Sequence, residues 1–269
     1  MVGARVYVLQ ANTSNNGDPS VSLLTSATGN PADSIGHYAL TGEFGGFTIA
    51  GRYTCTPGRQ VYVFARGGNS GDDGANSAIG LMASLGACPA SGNFASTAPF
   101  IFVNEVTTVA AAYAMAGRAT DPIHVTDSAA PGDTEPLVQA ANLANIVTGF
   151  ANAALPTMPE SKIPRSKIHT LANILSACVN SSGPASNGCT TLFANARSGG
   201  AKGTIPTDTA TAAINIARNP HANIAALYRL QPRIARPFEP ALESAPPDFT
   251  ISLESENAKT TVAALAPRP

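Results

Sequence analysis

The stretch QVYVFARGGNSGDDGANSAIGLMASLG, residues 60–86, is where the hydrophobic period of the chain changes. Residues 60–66, QVYVFAR, alternate and carry β-branched and aromatic side chains, so they read as a strand. After Gly67 the pattern differs. Ile79, Leu81, Met82 and Leu85 fall at helical spacing, which predicts a helix over 76–86 with Asn76 as its cap. Strands therefore belong before this point and helices after it.

Upstream, residues 4–10, ARVYVLQ, read as a strand and 20–25, SVSLLT, as a shorter one. Residues 37–41 are a third strand candidate. Another starts at Phe47 and runs toward Tyr53 and Cys55, after the turn Gly42-Glu43-Phe44-Gly45-Gly46. Short strands separated by Gly, Asn and Pro turns predict a small antiparallel β-sandwich.

Downstream, FIFV gives one short strand near 99–103. Helices are predicted over 104–117, 136–153, 164–179, 189–196, 208–218 and 222–230. Residues 155–162 read as a linker, and 231–247, with five prolines, as extended and irregular. DFTISL, 248–253, is a last strand candidate. Because strands and helices are segregated rather than alternating, the fold class is α+β and a Rossmann or barrel fold is excluded. The expected organisation is a β-sandwich part over 1–68, an Ala-rich helical part over 69–230, and a Pro-rich linker with terminal strand and tail over 231–269.

Composition limits function. Only 12% of the 269 residues are charged, and 16 basic residues nearly cancel 17 acidic ones. A basic nucleic-acid footprint is absent. No apolar run reaches the roughly 20 residues of a membrane span. Four cysteines, Cys55, Cys88, Cys178 and Cys189, form two local sets with no CxxC spacing. They allow three pairings, of which the economical one is Cys55–Cys88 with Cys178–Cys189. Disulfides imply an oxidising compartment, hence a secreted or cell-surface protein. Met1 is followed at once by a strand, with neither a basic n-region nor an apolar h-region, so the chain reads as a fragment of a longer polypeptide.

Candidate chemistry is sparse. His37, His124, His169 and His221 are the only histidines and make no HExxH or HxH motif, so they read as scattered loop and helix residues. Asp72, Asp73 and Asn76 would be the ligands if the loop at 69–76 held a hard cation, but EF-hand spacing is missing and a solvated loop is the competing reading. Glu105, between apolar residues at a helix start, reads as a buried acid or as a charge that complements the helix dipole. Glycosidase chemistry needs a second carboxylate that the sequence does not place beside it. There is no GxSxG, GxGxxG or GxxxxGK[ST]. Tyr7, Tyr53, Tyr62 and Phe64 read as core or half-buried sheet residues, with a sugar-stacking platform as the competing reading.

GARVYVLQANTS (3–14), GGFTIAGRYTCTPGRQVYVFARGGN (45–69), LMASLGAC (81–88), FVNEVTTVAAAYAMAG (102–117), SKIHTLANILSACVNSSGPASNGCTTLF (166–193) and PTDTATAAINIARNPHANIAALYRL (206–230) together resemble uncharacterised exported proteins of acidobacterial type. In that group the region often precedes NHL-like β-propeller repeats. The N-terminal part, through Gly3-Ala4-Arg5-Val6-Tyr7-Val8, Gly46-Phe47, Tyr53 and Val61, is similar to transthyretin-like or carboxypeptidase-regulatory-like sandwiches. Such domains are accessory or spacer modules. The resemblance implies no catalytic residue, and Gly42-Glu43-Phe44-Gly45 stands where those sandwiches carry an Asp-rich turn.

The expected function is a non-catalytic extracellular structural or adhesion-type module, not an enzyme, with no cofactor. Its partners would be other domains of a longer polypeptide or neighbouring subunits. Polysaccharide would be the partner of a carbohydrate-binding module. Two further readings stay open. One is a self-assembling, filament-forming subunit, using the first strand as an open edge and DFTISL as a donated strand. The second is a hydrolase.

Overall fold

A computed structural model describes residues 1–26, 29–49, 53–71, 74–127, 136–155, 161–200, 202–252 and 254–255. Five strands make one antiparallel sheet. β4 (Gln60–Arg66) lies at its centre, with β1 (Arg5–Gln10) on one side and β5 (Gly80–Ala87) on the other. Beyond β1, β2 (Val21–Ser22) pairs with Leu9 and Gln10, and β3 (Ala39–Leu40) with Arg5 and Val6. Both flanks of β1 are therefore occupied, and the open edge expected there is interior.

The chain is mixed α+β, but its main sheet is single and the expected second layer of a sandwich is not found among the described residues. Side-chain alternation shows why. Tyr7, Leu9, Tyr62, Phe64 and Met82 point into a core shared with the helices. Val6, Val8, Val61, Val63, Ala65 and Leu81 point the other way and are covered by non-strand segments carrying Phe47, Ile49, Tyr53, Phe94 and Ile101. Helices and loops do the covering that a second sheet would do.

Residues 80–87 are a strand, not the expected helix. Gly-Leu-Met-Ala-Ser-Leu-Gly-Ala is short and apolar, and such a run fits either period. Pairing along the whole length of β4 decides it, a tertiary effect that local propensity does not contain. The expected boundary at 68/69 consequently falls inside the sheet. Asn76 caps no helix. It is fully buried, its Oδ1 accepts from Ala78 N (2.9 Å), and its Nδ2 donates to Cys178 O (2.8 Å) and Ser181 O (3.1 Å).

The outer edge of β5 meets helices rather than another strand. α1 (Glu105–Met115) and α5 (Thr209–Arg218) approach it by their N-termini. Gly80 N donates to Thr209 Oγ1 (3.0 Å), which donates onward to Gly80 O (2.6 Å). Two residues further on, Met82 N donates to Thr108 Oγ1 (2.8 Å), and Thr107 Oγ1 donates to Met82 O (2.8 Å). Gly80 has to be glycine, since a Cβ there would collide with the Asp208 carboxylate.

α1 is buried at every position, which small alanine side chains permit. It begins with a capping box between Asn104 and Thr107. β6 (Ala119–Asp121) and β7 (His124–Val125) form a hairpin after it. The expected 136–153 helix stops early: α2 (Pro136–Leu143) gives way to the hairpin β8 (Ala144–Asn145) and β9 (Phe150–Ala151). Asn145 Oδ1 accepts from Val147 N (2.8 Å), an Asx turn that diverts the chain. Residues 99–103 form no strand. β10 (Ser161–Lys162) lies in the expected linker, followed by α3 (Arg165–Val179).

Cys55–Cys88 and Cys178–Cys189 are both disulfide-bonded, as expected. The second joins the end of α3 to α4 (Asn187–Asn195), where a Cβ on Gly188 would strike the Ala177 carbonyl. The expected 222–230 helix is one short piece, α6 (Ile224–Tyr228).

The Pro-rich stretch is irregular but docked. Asn173 clamps Phe238 from both sides, Nδ2 to O (2.9 Å) and Oδ1 from N (3.0 Å). Thr170 Oγ1 accepts from Leu242 N (2.8 Å). DFTISL is not a strand over 248–252. Phe249 and Ile251 are instead buried in the main core, and Tyr113 donates to Phe249 O (2.7 Å). β11 (Glu254–Ser255) pairs with β10.

This packing sets two expected outcomes. Thr209→Val leaves both edge groups of Gly80 without a partner and lowers stability by about 1–3 kcal/mol in chemical denaturation, while Thr209→Ser recovers most of it. His169 is fully buried, with Nδ1 3.1 Å from Pro240 O and Nε2 unpartnered. Burial lowers its pKa and Arg165 adds to that, against the Pro240 and Glu239 carbonyls and the Glu239 charge. The unfolded chain thus takes up this proton first. Stability falls as pH drops below the ordinary histidine value of about 6.5, and His169→Asn flattens that slope in melts between pH 7 and 5.

Candidate functional site

A cavity of about 620 Å³ opens where segments distant in sequence meet. The end of β4 supplies Phe64 and Arg66, and the β6–β7 hairpin supplies Thr120 to Ile123. Ser198 and Gly199, the segment Thr204 to Asp208, the inner face of α5 and Ile35 complete it. Thr209 fixes the start of α5 against β5, and so fixes one wall against another.

Two carboxylates line this cavity, Asp121 and Asp208, and both are engaged internally. Asp121 Oδ1 accepts from Ile123 N (2.9 Å) and His124 N (3.1 Å), and its Oδ2 lies 2.7 Å from His124 Nδ1. The spacing Asp-Pro-Ile-His folds back on itself as a turn clasp. Asp208 is the N-cap of α5. Its Oδ1 accepts from Thr211 N (2.9 Å) and its Oδ2 from Thr211 Oγ1 (2.7 Å). Desolvation nonetheless pushes its pKa up, and the Asp121 charge adds to the rise.

The cations differ. Arg66 and Arg218 are exposed side chains lining the same cavity, and neither has a carboxylate within ion-pair distance among the described residues. Arg218 Nη1 makes one long bond to Ala119 O (3.4 Å). Arg5, directly across the sheet from Arg66, is paired with Asp33 at 2.8 Å. Asn215 also lines the cavity. Its Nδ2 donates to Ala196 O (3.0 Å), and its buried Oδ1 has no partner.

Of the residues singled out in the sequence, Phe64 reaches the cavity lining and the other described ones lie elsewhere. Glu105 is 8% exposed at the start of α1, and burial raises its pKa to about 7 against its own backbone N–H. Neither cavity carboxylate belongs to its surroundings, and no second acid contributes to its shift. Asp72 and Asp73 fall outside the described residues, and Asn76 is turned inward. The histidines are dispersed: among the described residues no three of His, Cys, Asp and Glu come together as a metal site. Tyr7, Tyr62 and Phe64 are buried core residues, with Tyr62 donating to Pro122 O (2.8 Å), so they form no exposed aromatic row. Tyr53 is half-buried against the outer face of the sheet, and its hydroxyl accepts from Phe94 N (3.1 Å). Exposed rings occur off the sheet instead, at Phe100 and Phe102, edge to face at 5.2 Å. Sequence reasoning misses the cavity because Arg66 reads as a strand end and Arg218 as a helix C-terminal charge. The one local signal is Thr207-Asp208 before α5.

No family model, curated protein or solved structure matches this chain.

The isolated burial of Glu105 has a measurable consequence. The folded chain holds this proton more tightly than the unfolded chain, so stability falls as pH rises from about 4.5 to about 7 and stays lowered above that. Glu105→Gln is expected to raise stability at pH 8 by up to roughly 3 kcal/mol, with the difference vanishing near pH 4 in paired denaturation curves.

Proposed function

We propose that this chain is a non-catalytic extracellular module of structural or adhesion type, belonging to a secreted or surface protein and working by binding. The observation that carries this reading is the state of the two cavity acids. General acid–base catalysis needs a carboxyl group whose proton or lone pair reaches the substrate. Asp121 and Asp208 direct theirs to N–H and O–H groups of their own turns. Glu105, whose pKa burial raises to about 7, is not among the residues that line the cavity.

Rigidity supports the same reading. Two disulfides close loop regions on either side of the fold, such links being worth about 2–4 kcal/mol each through the unfolded state. They are also what an oxidising compartment favours. Among the described residues no helix is long and apolar enough to cross a membrane. Preorganised surfaces bind without ordering cost, which suits an adhesive or spacer role.

Carbohydrate binding is the second reading, favoured by the cavity rather than by aromatic stacking. Its lining carries the hydroxyls of Ser198, Thr204 and Thr207 and the Asn215 amide, groups that match sugar hydroxyls. Incubating the intact chain with a glycan array while following products by mass spectrometry tests both readings. Retention of a glycan without turnover is expected. Turnover that is lost in Asp121→Asn, Asp208→Asn or Glu105→Gln would overturn the non-catalytic assignment.

A further inference from the structure

The geometry points to an acidic saccharide as the occupant of this cavity: a sugar bearing one oxyanion held between Arg66 and Arg218, with its hydroxyls on the threonine and serine wall. This rests on the binding role proposed above and names its ligand class.

The lining carries two arginines and two aspartates, and the aspartates are the ones already engaged within their own turns. Of the ionisable groups lining it, the two acids are internally satisfied, and Asp208 is further disfavoured as an anion by desolvation. Arg66 and Arg218 have no carboxylate within ion-pair distance among the described residues, so their donor forks stay open. Arg5 is neutralised by Asp33, so it neither competes for the ligand nor adds to the field. A guanidinium presents a planar donor fork that matches a carboxylate or sulfate in a way an ammonium does not.

Size and polarity fit a sugar. A volume of about 620 Å³ is large for a bare ion and lies within the usual range for small-molecule sites. Ile35, Pro122 and Pro206 add apolar groups to the same lining.

The unmet amide of α5 independently supports occupancy. Asn215 Oδ1 is the buried side-chain acceptor of this lining that has no donor, and an unmet acceptor at a cavity wall calls for a missing partner. That oxygen is closed to water-sized contact, so a ligand hydroxyl reaches it only once the Asn215 side chain turns.

The test is isothermal titration of the intact chain with three probes: an oligogalacturonate, the neutral galacto-oligomer of equal length, and sodium sulfate. The acidic oligomer should bind at least about tenfold more tightly than either other probe, and its affinity should fall with added salt because the contacts are ionic. Arg66→Ala and Arg218→Ala should each weaken it by about tenfold or more, with the melting temperature unchanged as the check on folding. If a variant does not fold, the salt dependence of the unsubstituted chain carries the decision. Equal binding of the neutral oligomer, or indifference to both arginine substitutions, overturns the acidic-ligand assignment and leaves the binding role standing. Sulfate binding as tightly as the oligomer overturns the saccharide part. No binding by any probe overturns this inference, whereas the non-catalytic reading fails only by turnover.

Discussion

The free edge of β5 is the constraint on which the arrangement depends. An edge strand exposes unpaired N–H and C=O groups that must find partners or water. Here Thr107, Thr108 and Thr209 provide hydroxyls that act as donor and acceptor in the positions a neighbouring strand would occupy. A hydroxyl can do both because it carries one proton and two lone pairs. Valine at those sites would have nearly the same shape and neither capacity. Three threonines thus attach two helices to the sheet in fixed register and prevent it from widening.

From that attachment the cavity follows. α5 can wall it only because Thr209 holds the helix start on Gly80, and Gly80 admits the Asp208 carboxylate only by lacking a side chain. Asp208 is then left partly desolvated as a cap and engaged with Thr211. With Asp121 engaged in its own turn, the remaining chemical character of the cavity belongs to two arginines, one amide and a set of hydroxyls.

How much of this is legible in the sequence depends on the range of the interaction. β1 and β4 show strict alternation of large side chains, and α1, α3 and α5 carry caps and breakers at their ends, so sequence bounds fall within a residue or two of the structure. Cysteine proximity suffices for both disulfides. β5 reads wrongly as a helix because its small residues satisfy two periods and only β4 chooses between them. A second sheet is the natural expectation because apolar strand faces need cover, a need that α1 and loop side chains meet equally well. Burial of Glu105 is readable from its apolar flanks. The cavity is not, since Arg66, Asp121, Ser198 and Arg218 share no local pattern and meet only in the folded chain.

The docking of Phe249 and Ile251 into the main core bears on biosynthesis. Both residues emerge from the ribosome long after α1, whose Tyr113 hydroxyl donates to the Phe249 carbonyl. Until they arrive, that tyrosine and the wall around it face solvent or a chaperone. Closure of the bundle around α1 therefore waits on a segment 136 residues further along the chain.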